Sequence, residues 1–184
     1  MLPVNVPNIL TVLRILLTPV FVILLIRESY LPCLAVFSAA AITDGLDGFL
    51  ARTLNQRTTL GAYLDAIADK LLLATAYVSL AVLQMVPAWL AVVVISRDVV
   101  IVLGVLIIAI TGVGLEIRPI IASKLTTVAQ LTSIAVALLN RGVPGAAEAV
   151  MPPLFWLTAV LTTVSGLHYI YIGMGILQHG MEGK

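Results

Sequence analysis

Four of the five aspartates in this 184-residue chain fall within one stretch, ITDGLDGFLARTLNQRTTLGAYLDAIADK, at positions 44, 47, 65 and 69. Residues three or four apart share a helix face. Asp44 and Asp47 therefore form one pair and Asp65 and Asp69 a second. The connection between the pairs is short, which makes their helices antiparallel neighbours and lets the four carboxylates converge. At low dielectric such a group repels itself strongly, and something cationic must compensate. An oxygen-only donor set suits a hard divalent cation, magnesium or manganese. Two such ions bridged by carboxylates suit phosphoryl chemistry. Asp69, at the edge of the group, is placed to accept a proton. Two other readings exist: ion pairs with Arg14, Arg52, Lys70 and Arg97, or an ion-conducting path. Four carboxylates on adjacent helices, with glycines among them, favour the metal site. Gly48 and Ala51 can wall a slot for a flat nucleotide, and Gly61 lies beside the second pair. For each small residue alone, ordinary helix packing is the alternative.

The elements that carry these residues read as membrane spans. Hydrophobic residues make up 61% of the chain and charged ones 10%, with a mean hydropathy of +1.14. A soluble domain is nearer one quarter charged. Six apolar segments of spanning length can be drawn, at about 8–27, 31–52, 60–84, 87–112, 120–140 and 153–177. Turn chemistry separates them: Arg27-Glu28-Ser29 with Pro32, Asn55-Gln56-Arg57, Pro87, the run from Gly112 to Pro119, and Asn140-Arg141-Gly142 through Pro153. The expected fold is an all-α integral membrane bundle of six transmembrane helices forming one domain over 1–184. Loop charges place Arg52, Arg57, Arg118, Lys124 and Lys184 on one side, against Arg27 and Arg141 on the other. By the positive-inside rule the first side, with the carboxylates, is cytoplasmic. Arg14 either snorkels toward that interface or has a functional role. No targeting segment is visible ahead of the first span, which favours a bacterial inner membrane. The lone cysteine, Cys33, excludes an internal disulfide and reads as a buried inert thiol. A net charge of +1 gives no case for nucleic acid.

The pattern Asp44-x2-Asp47-Gly48-x2-Ala51-Arg52-x8-Gly61-x3-Asp65-x3-Asp69 resembles the signature of the CDP-alcohol phosphatidyltransferase family, with every fixed position present. The resemblance extends over the whole chain. It implies transfer of a phosphatidyl group from CDP-diacylglycerol to an acceptor hydroxyl with release of CMP. It further implies that Asp44, Asp47 and Asp65 ligate metal, that Asp69 is ligand, general base or both, and that Gly48, Ala51, Arg52 and Gly61 together with Asp44 hold the CDP moiety. Members are typically homodimers.

Pro7–Arg14, Ile95–Asp98 and Ala122–Gln130 resemble the branch whose acceptors are glycerol-type: glycerol 3-phosphate in phosphatidylglycerophosphate synthases, phosphatidylglycerol in cardiolipin synthases of this fold. A phosphomonoester carries nearly two charges and wants several basic contacts. Glycerophosphate-using relatives usually have a second arginine soon after the Ser-Arg-acid motif and a Gly-Lys-x-Lys-Thr run. Here Val105 stands near the first, and Ser123 and Thr126 stand in the second. Arg97 and Lys124, with Arg118, remain for the acceptor, a set that tilts toward phosphatidylglycerol. Arg97 paired structurally with Asp98 is the competing reading. The rival classes are an acidic-site ion transporter, a non-catalytic scaffold and a hydrolase acting on the same donor.

Overall fold

The computed structural model describes residues 6–53, 59–111 and 121–182, with side chains described for 10–44, 67–104, 106–107, 123–175 and 178. Among the described residues there are six helices and no strand: α1 (Val6–Ile26), α2 (Tyr30–Thr53), α3 (Thr59–Val82), α4 (Ala88–Thr111), α5 (Ile121–Gly142) and α6 (Met151–Glu182). Each matches one expected segment to within a few residues, except that α6 runs five residues past its expected end. The apolar run stops there, but backbone hydrogen bonding continues through Gln178 and beyond, because propagating a helix does not require apolar side chains.

Local chemistry sets the ends. Pro32 sits in the first turn of α2 and Pro152 and Pro153 in that of α6, where a missing N–H costs nothing. Two helices close on non-glycine residues in the left-handed region, Glu28 after α1 (φ 55°) and Gln84 after α3 (φ 55°). Around each, a pair of bonds caps the helix in Schellman fashion: Ser29 N to Leu24 O and Glu28 N to Leu25 O, then Met85 N to Leu80 O and Gln84 N to Ala81 O.

The chain forms two compact units. The first comprises residues 1–86 and 134–148, the second 87–133 and 149–184. In the first, α1 packs against both α2 and α3. The contact face of α1 repeats every three or four residues through Thr11, Arg14, Phe21 and Leu25, all buried. It meets the Cys33, Phe37 and Ala40 face of α2, with the Phe21 and Phe37 rings 5.8 Å apart and the Cys33 thiol against the Phe21 carbonyl. Leu72, Leu73, Ala76, Tyr77 and Leu80 supply the buried side of α3. Gly142, ending α5, lies against Leu31, where a Cβ would stand 2.8 Å from that side chain.

In the second unit α4 packs on α6, starting from Trp89 and Trp156, whose ring centroids lie 4.9 Å apart with the planes tilted by 35°. A polar seam joins α5 to α6. Thr126 donates to the Leu161 carbonyl at 3.1 Å, Thr158 to the Ala129 carbonyl at 3.3 Å, and Gln130 to Thr162 at 3.3 Å. Small and hydroxyl side chains are the usual adhesive between helices that lack a hydrophobic drive to associate.

Polarity is distributed inside out. Arg14, Arg97, Gln130 and Ser133 are buried, while Leu16, Ile42, Val82, Val92, Val128 and Leu167 are exposed. Among the described residues, the stretch Met151–Gly175 is long and apolar enough to cross a membrane, and Leu10–Ile26 and Tyr30–Asp44 are shorter apolar stretches.

Candidate active site

The α1–α2 contact face ends in charge. One turn beyond Ala40, Asp44 Oδ1 meets Arg14 Nη1 at 2.6 Å, with the Arg14 side chain 0% and the Asp44 side chain 32% exposed. An arginine keeps its proton at any accessible pH. An uncompensated charge in a low-dielectric interior costs several kcal/mol. The pair supplies Arg14 with a counter-charge where α1 packs on α2. Complete burial rules out a snorkelling Arg14, which would leave its guanidinium in solvent, and its contact with Asp44 is one of the ion pairs weighed from the sequence. Thr18, one turn on, donates its hydroxyl to the Arg14 carbonyl at 3.0 Å.

Asp44 thus sits where two helices meet, partly open, with Oδ1 against Arg14. Asp69 lies part-buried in α3. Asp47, Gly48, Ala51 and Arg52 belong to α2 and Gly61 and Asp65 to α3, as expected. Their side chains lie outside the described residues, and so does the convergence of all four carboxylates. Among the described residues no group of three or more His, Cys, Asp or Glu comes together. The donor chemistry that is described, carboxylate oxygen on two helices that both pack against α1, is the type that suits a hard divalent cation.

A second polar centre is built around Arg97, which is 5% exposed. Its Nη1 donates to Asp98 Oδ1 at 2.8 Å, and its Nη2 donates to Ser123 Oγ at 2.9 Å and to Ser165 Oγ at 3.0 Å. Arg97 Cζ stands 5.7 Å from the centroid of the Tyr169 ring. The stem of Arg97 lies close to Gly166, where a Cβ would come within 3.3 Å of Arg97 Cγ. Three helices of one unit therefore meet on a single guanidinium. The Arg97–Asp98 pair weighed from the sequence is present, and it is one part of a larger node. Lys124 is exposed beside Ser123, and Arg118 lies outside the described residues. Thr126, at the position that could have carried a second lysine, is wholly buried against α6.

Sequence reasoning assigned nothing to α6. The signal was there: Thr158, Thr162, Ser165 and Tyr169 recur at spacings of four, three and four along a mainly apolar helix.

A family model described as CDP-alcohol phosphatidyltransferase matches residues 4–164. The chain is similar to cardiolipin synthase (CMP-forming) of Homo sapiens, 34% identical over 193 positions that cover 96% of this chain and 64% of the human protein. It therefore spans a little under two thirds of that relative's length. It is also similar to CDP-diacylglycerol–glycerol-3-phosphate 3-phosphatidyltransferase of Bacillus subtilis, 33% identical over 184 positions covering 90% of this chain and 93% of that protein. With the protein of the same name from Pseudomonas fluorescens the identity is 48% over 103 positions, covering 53% of this chain and 52% of the other. The family is membrane-associated and generally uses divalent metal ions. With its matched span running through the aspartates of α2 and α3, the chain belongs to the CDP-alcohol phosphatidyltransferase family.

Proposed function

We propose that this protein transfers the phosphatidyl group of CDP-diacylglycerol to a glycerol-type acceptor, releasing CMP, and that the acceptor is phosphatidylglycerol. The observation that carries the reading is the complete aspartate pattern on α2 and α3, with its first member held against the buried Arg14 at 2.6 Å. The acceptor hydroxyl attacks the phosphorus that bears the diacylglycerol. The bond from that phosphorus to the bridging oxygen breaks, CMP leaves with the oxygen, and Asp69 takes the proton of the attacking hydroxyl. Gly48, Ala51, Arg52 and Gly61 hold the cytidine and its phosphates. When bound, two Mg2+ or Mn2+ ions on Asp44, Asp47, Asp65 and Asp69 would neutralise the diphosphate and polarise the bond to CMP. Arg14 fixes the Asp44 carboxylate and adds one permanent positive charge to a strongly acidic group.

Arg97, Lys124 and Arg118 meet the acceptor. Asp98 already balances the charge of Arg97 at 2.8 Å, which leaves this centre poorly matched to a phosphomonoester and better matched to a singly charged phosphodiester. All six helices cross the bilayer, with the aspartates at the cytoplasmic face of a bacterial inner membrane, and the protein acts as a homodimer.

The test is purified protein with CDP-diacylglycerol, magnesium and either acceptor, with products identified by mass spectrometry. Cardiolipin and CMP are expected from phosphatidylglycerol. Phosphatidylglycerophosphate as the sole product would move the chain to the glycerol 3-phosphate reading. CMP released equally with and without acceptor would indicate a hydrolase, and metal flux into liposomes without CMP a transporter.

A further inference from the structure

We propose that Ser123 is a specificity-determining residue and Ser165 a positioning residue for the acceptor, both acting through the hydrogens of Arg97; this rests on the reading of Arg97 as the acceptor's phosphate contact. A guanidinium carries five N–H groups in a plane. They form two forks that can grip a phosphate with two parallel bonds. One fork pairs Nε–H with an Nη2 hydrogen and the other pairs an Nη1 hydrogen with an Nη2 hydrogen. Nη2 is common to both.

In this structure Nη2 gives one hydrogen to Ser123 Oγ at 2.9 Å and one to Ser165 Oγ at 3.0 Å. Neither fork is open while both serines are engaged. Two hydrogens remain, one on Nη1 and one on Nε. The Nε atom is buried without a hydrogen-bond partner among the described residues. These two hydrogens point in different directions and can each meet one oxygen, but they cannot clamp one phosphate together. An arginine so restricted suits a phosphate of one charge and discriminates against one of nearly two.

The two serines differ in kind. Ser165 is 1% exposed in α6, and Gly166 beside it admits the arginine stem, so this turn of α6 holds Arg97 in place. Ser123 is only part-buried and precedes the exposed Lys124, so its hydroxyl is the partner an incoming anion can reach. Removing that hydroxyl frees an Nη2 hydrogen and reopens a fork next to Lys124.

The experiment is steady-state kinetics of purified Ser123→Ala, Ser123→Thr, Ser165→Ala and Arg97→Lys in mixed micelles, with CDP-diacylglycerol and each of the two acceptors. Ser123→Ala is expected to raise the ratio of kcat/KM for glycerol 3-phosphate over phosphatidylglycerol by about tenfold, the worth of one charge-assisted hydrogen bond, chiefly through KM. Ser123→Thr keeps a hydroxyl and holds the ratio near its wild-type value. Ser165→Ala lowers kcat/KM for both acceptors together, since Arg97 loses its tether. A Ser123→Ala protein that elutes and melts like wild type with an unchanged ratio overturns the proposal; should that variant aggregate, Ser123→Gly is read against the same criterion. Failure of the underlying reading looks different: Arg97→Lys then leaves both acceptor KM values unchanged, and the proposal falls with it.

Discussion

Among the described residues each unit buries one arginine, and the two are satisfied in different ways. Arg14 is paired with Asp44, thirty positions away on another helix. Arg97 is paired with Asp98, its neighbour in the chain, and spends its remaining bonds on the hydroxyls of Ser123 and Ser165. The long-range pair ties α1 to α2 by charge, and losing either member removes that tie. The local pair gives Arg97 a counter-charge from its own helix, so its charge-assisted bonds to α5 and α6 end on neutral hydroxyls that can be exchanged singly. The first arrangement suits a group of charges that must stay fixed. The second suits a contact that selects among ligands.

Four changes would break or sharpen that contrast. The largest effect is expected where the chemistry is assigned. Asp69→Asn should lower turnover about 10²- to 10⁴-fold, the usual worth of a general base, with the protein still inserted and folded. CMP release at the wild-type rate would remove the proton-accepting role from the first unit.

Next comes the long-range pair. Arg14→Met should destabilise the protein by about 3 kcal/mol, the lower end for breaking a buried pair because Asp44 keeps some solvent. Arg14→Lys should recover part of the loss. Thermal unfolding in detergent measures both, and a neutral Arg14→Met would show that α1 is held by apolar packing alone.

At the local node the effect should be smaller. Gly166→Ala puts a Cβ 3.3 Å from Arg97 Cγ, and the flexible stem can give way at a cost of about 1 kcal/mol. The expected result is a higher acceptor KM with the CDP-diacylglycerol KM unmoved. An equal rise in both would mean that the two arginines do not serve separate ligands.

The smallest change touches neither arginine. Gln84→Gly should stabilise the first unit by about 0.5–1 kcal/mol by relieving a left-handed backbone at φ 55°. A lower melting temperature would show that the Gln84 side chain contributes more than its backbone strain costs.

Much of the architecture could be read before any coordinates. Six apolar runs separated by Pro, Gly and Asn clusters became six helices, because spanning-length apolar runs and turn residues are both local signals. The aspartate pattern was legible for the same reason: its spacing is that of a helix. Arg14 was ambiguous, since one arginine near the start of an apolar helix reads equally well as an interface anchor. The α6 contribution to the Arg97 node went unseen because Ser165 lies 68 positions from Arg97, and a hydroxyl stripe along a helix does not name the partner it meets. Thr126 was read only as a missing base, whereas its hydroxyl in fact holds α5 to the backbone of α6.

Composition and periodicity by themselves determined the helices, most of their ends and the order of chemical groups along each one, because these depend on neighbours within a turn or two. Tertiary packing alone decided which helix faces which. It gave Arg14 to Asp44 and allotted both hydrogens of one Arg97 nitrogen to serines on two other helices. A buried charge takes whatever partner the fold brings within about 3 Å, and sequence distance places no limit on that choice.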